Sequence, residues 1–318
     1  MGIECKSDKV VMIGAGLVGS TSAYAIMDAG TVSEIVLIDM DSKRLAGEVM
    51  DLTHGAAFVP QVTVRTGTYS DCADAGVVVI TAGAGQKPGE SRLDLLKKNV
   101  EVFRDIVPRV ASAVTDAVLV VVTNPVDILT YVALKISGLP ANRVIGSGTL
   151  LDSARFRFLL SRHCEVAAQN VHAYIIGEHG DSEVPAWSAT NVAGMPFEEF
   201  CVGCGLVGCT SGRKDAIFDN VKNAAYRIIE DKGATYYAVG LAVRRIVQAI
   251  VRDERAVLEV SSLMQGQHGV EDVCLSLPTV VNSGGVARVL EIDLSDSERA
   301  GFRASAEKMK DTITGLDL

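Results

Sequence analysis

The chain has no excess of positive charge, no apolar run of membrane-spanning length and no even set of cysteines. Its 30 Lys+Arg stand against 39 Asp+Glu, a net charge of −9 with a pI near 5.1. That balance leaves no basic footprint for nucleic acid or for an anionic lipid surface, so a small-molecule partner is expected. A spanning helix needs about 20 consecutive apolar residues, and none of the runs approaches that. The opening "MGIECKSDKV" has no secretory pattern, and Lys6 stands where myristoylation wants Ser or Thr. Seven cysteines, an odd number, exclude a disulfide framework as the organising principle and suit a reducing compartment, so a cytoplasmic location is expected. "CVGCGLVGC" holds Cys201, Cys204 and Cys209, but zinc needs a fourth ligand and no His lies close by in sequence, so no metal is expected. Repeats, low-complexity tracts and long polar linkers are missing as well. With 318 residues and 48% hydrophobic content, the chain is long enough for two closely packed domains, with a ligand at their interface.

Alternation of short apolar runs with helical patterns fills the first half. "KVVMIGAG" is a strand ending in glycines, followed by a helix to about Ala29 and a second strand "EIVLIDM". "VTVRT", "VVVITAG" and "AVLVVVTNP" continue the series; between them "SKRLAGEVMDL" places Leu45, Val49 and Leu52 at i, i+4 and i+7. This rhythm predicts an α/β fold, a Rossmann-type parallel sheet covered on both faces, over residues 1–148. Beyond about Gly148 the pattern changes to longer helices, near 150–163, 213–231 and 235–252, mixed with β-branched runs. An α+β catalytic domain over 149–318 is the simplest expectation.

"GAGLVG" sets Gly14, Gly16 and Gly19 in G-x-G-x-x-G spacing, directly after a strand and opening a helix. The first glycine suits a tight turn, the second a close approach of backbone to pyrophosphate, the third close packing of helix on strand. Alone, the pattern could be any Gly-rich turn. Asp39, at the end of the second strand, adds a carboxylate that can bind both ribose hydroxyls and would repel a 2′-phosphate. NAD is therefore expected over NADP, with Lys43 and Arg44 as the only contrary charges nearby.

Reducing a 2-oxo acid needs a proton donor at the carbonyl oxygen, a cation for the carboxylate and a group to polarise the carbonyl. "GTLLDSARFRFLL" places Asp152 and Arg155 at i, i+3 on one helix face, while Arg157 is turned about 200° from Arg155 and cannot serve the same ligand. "VHAYIIGEHGDSEVP" ends a strand in a Gly-bracketed turn that carries His179. A histidine titrating near neutrality suits proton transfer, a carboxylate such as Asp152 would orient it, and a planar guanidinium such as Arg155 suits a carboxylate. Singly, these would read as a cap, a surface salt bridge and a turn residue.

Together with the glycine motif, "GSGTLLDSARFRF", "IIGEHGDSEVP", "TNPVDILTY", "AGQKPGESRLDLL" and "GATYYAVGLA" resemble the L-lactate dehydrogenases, in order, over essentially the whole chain. The resemblance implies reversible hydride transfer between NADH and pyruvate giving L-lactate, with His179 as proton donor and acceptor, Asp152 as its partner and Arg155 as carboxylate clamp. It further implies that Arg92 polarises the carbonyl, Asn124 hydrogen-bonds at the catalytic centre, Thr235 lines the pocket and Ser147 sits beside the nicotinamide. The stretch 81–99 then reads as a lid, with Gly83, Gly85 and Gly89 allowing movement. Gln86 on it would face the substituent next to the carbonyl. Malate dehydrogenases of the superfamily typically carry Arg there, paired with the second carboxylate of oxaloacetate; a neutral Gln leaves that carboxylate without a partner, which favours pyruvate. The family often has Asn before this Gln, where this chain has Gly85. Arg157 and His172 match positions that form a fructose 1,6-bisphosphate site across a subunit interface in the allosteric bacterial branch, which implies a homotetramer activated by that sugar.

Overall fold

Buried residues alternate between two apolar layers, and this alternation builds the sheet that the sequence predicts. The computed structural model describes residues 7–85, 92–203 and 211–316. Six strands, β1 (Lys9–Ile13), β2 (Glu34–Ile38), β3 (Thr63–Thr66), β4 (Val77–Ile80), β5 (Val118–Val121) and β6 (Val144–Gly146), pair in parallel in the order β3-β2-β1-β4-β5-β6. All residues of β1, β4 and β5 are buried, as a sheet covered on both faces requires. Helices α1 (Leu17–Asp28), α2 (Ser42–His54), α3 (Arg92–Ala113), α4 (Val126–Ser137) and α5 (Leu150–Cys164) are followed by α6 (Phe197–Gly203), α7 (Ser211–Lys222), α8 (Ala224–Lys232), α9 (Tyr237–Val251) and α10 (Asp296–Thr314). Val11 and Ile13 face a layer shared with Phe103 of α3, Ile128 of α4 and Phe302 of α10. Val10 and Met12 face the other, with Ile26 of α1 and Val243 and Ile246 of α9.

The strand order reverses between β1 and β4, and a crevice outside the carboxyl ends of strands at such a point is where dinucleotides bind in Rossmann sheets. Beyond β6 come β7 (Val171–His172), β8 (Ile175–Ile176), β9 (Val184–Pro185), β10 (Asn191–Val192), β11 (Met195–Pro196), β12 (Ala256–Leu258), β13 (Ser261–Gln265), β14 (Glu271–Ser276), β15 (Thr279–Asn282) and β16 (Gly285–Val289). Most form small antiparallel sheets, β11-β10-β7, β12-β15-β16 and β8-β9, so the second half has the expected α+β character.

Two features differ from the sequence expectation. The β13–β14 hairpin does not stay in the second half: Ser261 pairs antiparallel with Gly146 and extends the parallel sheet to eight strands. Gly146 permits this approach, since a Cβ there would lie 2.3 Å from Thr130 Oγ1 and 3.0 Å from Ser261 Cβ. The helix expected over 213–231 is two helices, α7 and α8, meeting at Asn223, whose Nδ2 donates to the Asp219 carbonyl at 2.8 Å.

Candidate active site

Each glycine of the G-x-G-x-x-G turn has its own steric reason. Gly14 holds φ +107°, a left-handed conformation, and a Cβ on it would sit 2.6 Å from the Ala82 amide nitrogen. A Cβ on Gly19 would lie 1.9 Å from the Gly14 carbonyl oxygen, so no larger residue lets α1 pack on the turn. Gly16, by contrast, has nothing within 4 Å of its Cβ position, and as N-cap of α1 it offers no side-chain hydrogen bond. The open space before a helix N-terminus is what an approaching phosphate requires. Asp39 is fixed beside it: Oδ2 accepts from the Ala15 N–H at 2.7 Å and Oδ1 from the Asp41 N–H at 2.9 Å. Ser147 follows β6, its N–H bonded to the Val121 carbonyl at 2.8 Å. An open phosphate position, a carboxylate at the end of β2 and a hydroxyl at the end of β6 fit NAD.

A second constellation forms where the strand ends meet α5 and the β8–β9 turn. Asp152 and Arg155, one helical turn apart on α5, are joined by an ion pair of 2.6 Å from Nη1 to Oδ1. The other carboxylate oxygen of Asp152 bonds His179 Nδ1 at 2.5 Å. The turn bearing His179 is anchored by its backbone: the His179 N–H donates to Asp127 Oδ2 at 2.7 Å and the Glu178 N–H to Ser305 Oγ at 2.9 Å. Asn124 lies in the loop after β5, and buried Asn99 ties its carbonyl (2.8 Å) to the Ala84 N–H (2.7 Å), linking the loops after β4 and β5. Asn124, Asp152, Arg155, His179 and Glu183 line one cavity of about 470 Å³.

Burial and charge compete throughout this cavity. Burial disfavours charge on His179, yet the adjacent Asp152 carboxylate outweighs it, with Asp127 and Glu183 adding, and raises the imidazole to about 9. Burial likewise opposes the Asp152 anion, but His179 and Arg155 hold it below the ordinary carboxylate range. Burial and then the Asp152 charge push Glu183 up to about 8. Burial takes Asp127 to about 6.

The same organisation recurs in known proteins. Residues 8–146 match the family model of the lactate/malate dehydrogenase NAD-binding domain, and 149–316 that of the lactate/malate dehydrogenase alpha/beta C-terminal domain. The chain belongs to the lactate/malate dehydrogenase family. It is 56% identical over 310 residues to an L-lactate dehydrogenase of Acetivibrio thermocellus, covering 98% of each chain. It is 51% identical to L-lactate dehydrogenase 1 of Clostridium acetobutylicum, over 98% of this chain and 99% of that one. The solved structure of a minor L-lactate dehydrogenase from Enterococcus mundtii is similar at a TM-score of 0.94 and 43% identity, covering 98% of this chain and 99% of that chain.

As a lactate/malate dehydrogenase, the chain takes NAD in its first half. The remaining expected site residues divide. Gln86 lies outside the described residues, as does the side chain of Arg92, whose backbone opens α3. Thr235 is half-buried between α8 and α9 and does not line the cavity that holds His179. Arg157 faces away from Arg155 and reaches buried Glu259, Nη2 to Oε2 3.3 Å; His172 is exposed on β7. Gly83, expected to allow movement, is packed instead, since a Cβ there would meet Thr123 Cγ2 at 2.4 Å; Gly85 has open space and Gly89 lies outside the described residues. Cys204 and Cys209 also lie outside them, and among the described residues no group of three His, Cys, Asp or Glu could hold a metal. Sequence reading did not single out Asp127, Asn99 and Glu183. Asp127 and Glu183 stand inside the quoted stretches "TNPVDILTY" and "IIGEHGDSEVP", so a search for every acid in those motifs would have reached them.

Proposed function

We propose that this family member is an L-lactate dehydrogenase, interconverting pyruvate and L-lactate, with His179 as the proton donor and acceptor. The observation that carries the reading is the Arg155–Asp152–His179 chain on one cavity wall. Asp152 engages Nδ1, which leaves Nε2 to face a substrate oxygen, and it holds the ring as imidazolium at neutral pH. Arg155 gives one nitrogen to Asp152 and keeps the rest of its guanidinium for the carboxylate of a 2-oxo acid. When bound, the cofactor would supply a hydride as NADH in one direction and accept one as NAD+ in the other, with Gly14, Gly16, Gly19 and Asp39 holding it and Ser147 beside the nicotinamide. Arg92 polarises the carbonyl, Asn124 hydrogen-bonds at the centre and Thr235 lines the substrate side in this reading. Gln86 selects pyruvate, because a second carboxylate would be buried without a charge partner. The near-full-length likeness to proteins named L-lactate dehydrogenase supports the same substrate.

Arg157 and His172 serve a fructose 1,6-bisphosphate site across a homotetramer interface in this reading, where the sugar displaces Glu259 from Arg157. The compartment is the cytoplasm; among the described residues no helix is long and apolar enough to cross a membrane.

NADH consumption with pyruvate and with oxaloacetate, each with and without fructose 1,6-bisphosphate, tests these statements together. The expected result is a higher kcat/KM for pyruvate, with a lower pyruvate KM and a tetramer in sedimentation when the sugar is present. A higher kcat/KM for oxaloacetate would make the chain a malate dehydrogenase of the lactate-dehydrogenase-like type. Identical saturation curves at several protein concentrations would remove the effector role.

A further inference from the structure

Glu183 is a buried acid of the cavity that the proposed chemistry does not use. It stands just before β9, four residues after His179, and is 7% exposed; its Oε1 has no hydrogen-bond partner. An unpaired buried carboxylate is costly, so the carboxyl is held in its neutral form unless a charge compensates. The charged groups around it compensate only in part. Asp152 on α5 repels a second anion, while Arg155 on α5, His179 on the same turn and Lys222 on α7 attract one. The first two cations are already bonded to Asp152. Glu178, Asp181 and Lys308 complete the charged wall; Lys308 is paired with Glu178 at 2.9 Å, and Tyr226 donates to Asp181 at 3.0 Å.

We propose that Glu183 determines substrate affinity through its charge: as a neutral acid it leaves Arg155 to the substrate carboxylate, and as an anion it repels that carboxylate from the cavity. The inference rests on the reading of Arg155 as the carboxylate clamp. Burial and Asp152 raise the changeover of Glu183 to about 8, and Asp152 raises His179 to about 9. Both ionisations weaken binding of a 2-oxo acid, but only that of Glu183 disappears when its carboxyl is replaced.

Two variants separate them. Glu183→Gln keeps the shape and removes the ionisation, and Glu183→Leu, apolar and of similar size, serves if a buried amide does not fold. The pyruvate KM of the unaltered enzyme is expected to rise about twentyfold from pH 7 to pH 9, about tenfold from Glu183 and about twofold from His179, because only the protonated fractions bind. In either variant the rise shrinks to about twofold, from His179 alone. Calorimetric titration of oxamate, an unreactive monocarboxylate, into the NADH-saturated protein reads the same ratio without turnover. The cofactor-free protein gives a third readout: with Glu183 neutral when folded and ionised when unfolded, stability declines between about pH 4.5 and 8, and both variants lose that part of the decline. Equal pH dependence of oxamate affinity in the unaltered protein and the variants overturns the inference, as does a complete lack of oxamate binding. Absent pyruvate turnover with the expected oxamate behaviour overturns the activity and leaves the role of Glu183 standing.

Discussion

In the proposed reaction His179 transfers the proton on the ring nitrogen turned away from Asp152, and the charge of Asp152 favours the imidazolium up to about pH 9. Under that proposal pyruvate reduction uses the imidazolium and lactate oxidation the neutral ring, so their kcat profiles run in opposite directions. As pH rises through about 9, kcat for reduction is expected to fall and kcat for oxidation to rise; stopped-flow turnover in both directions checks the sign. Asp152→Asn removes the anion while keeping the shape. It lowers the imidazole back toward its ordinary range and is expected to reduce kcat for pyruvate at pH 7 by roughly 10²- to 10⁴-fold. A loss confined to KM would mean that Asp152 only positions Arg155.

The β1–α1–β2 unit makes two glycines separable. Gly16→Val adds a side chain into open space, so the protein is expected to melt as before while NADH affinity falls about tenfold or more, 1.4 kcal/mol for each factor of ten. Gly19→Ala forces its methyl onto the Gly14 carbonyl and is expected to cost at least about 1–3 kcal/mol of stability, read by chemical denaturation. These elements were legible in the sequence because their signals are local: apolar runs, glycines at strand ends and helical spacing from Lys9 to about Cys164. What was not legible depends on contacts far apart in the chain. Nothing around Ser261 announces a partner at Gly146, and nothing around Gly83 announces Thr123. No Gly or Pro in the sequence marks the division between α7 and α8 at Asn223. At the site, Asp152, Arg155 and His179 could be listed from their motifs, whereas the burial that makes Glu183 and Asp127 matter comes only from packing.

Across the whole molecule, several buried acids push stability in one direction. Glu183 (about 8), Glu259 (about 7) and Asp127 (about 6) are all raised by burial, so the folded state binds more protons than the unfolded state between the ordinary carboxylate range and those values. Stability therefore falls as pH rises through that window. His179, also raised, contributes stability that is complete below about 6.5 and is lost as pH passes about 9. Asp152 acts oppositely, contributing above about 3.8 and losing its contribution as acid protonates it. The melting temperature of the cofactor-free protein is expected to peak near pH 5 and decline steadily toward pH 9. Glu259→Gln should remove the part of that decline below about pH 7; a melting temperature flat from pH 5 to 9 would mean that these acids find partners on charging.

The β13–β14 hairpin bears on how the molecule comes into being. As the chain leaves the ribosome, β6 emerges long before Ser261, and until then its outer edge offers unpaired N–H and C=O groups to any passing strand. A nascent first half is thus a sheet with an open side, prone to pair with its neighbours on a crowded polysome. Synthesis of the last third of the chain closes that side, so a fragment ending near residue 148 is expected to aggregate where the full-length chain folds.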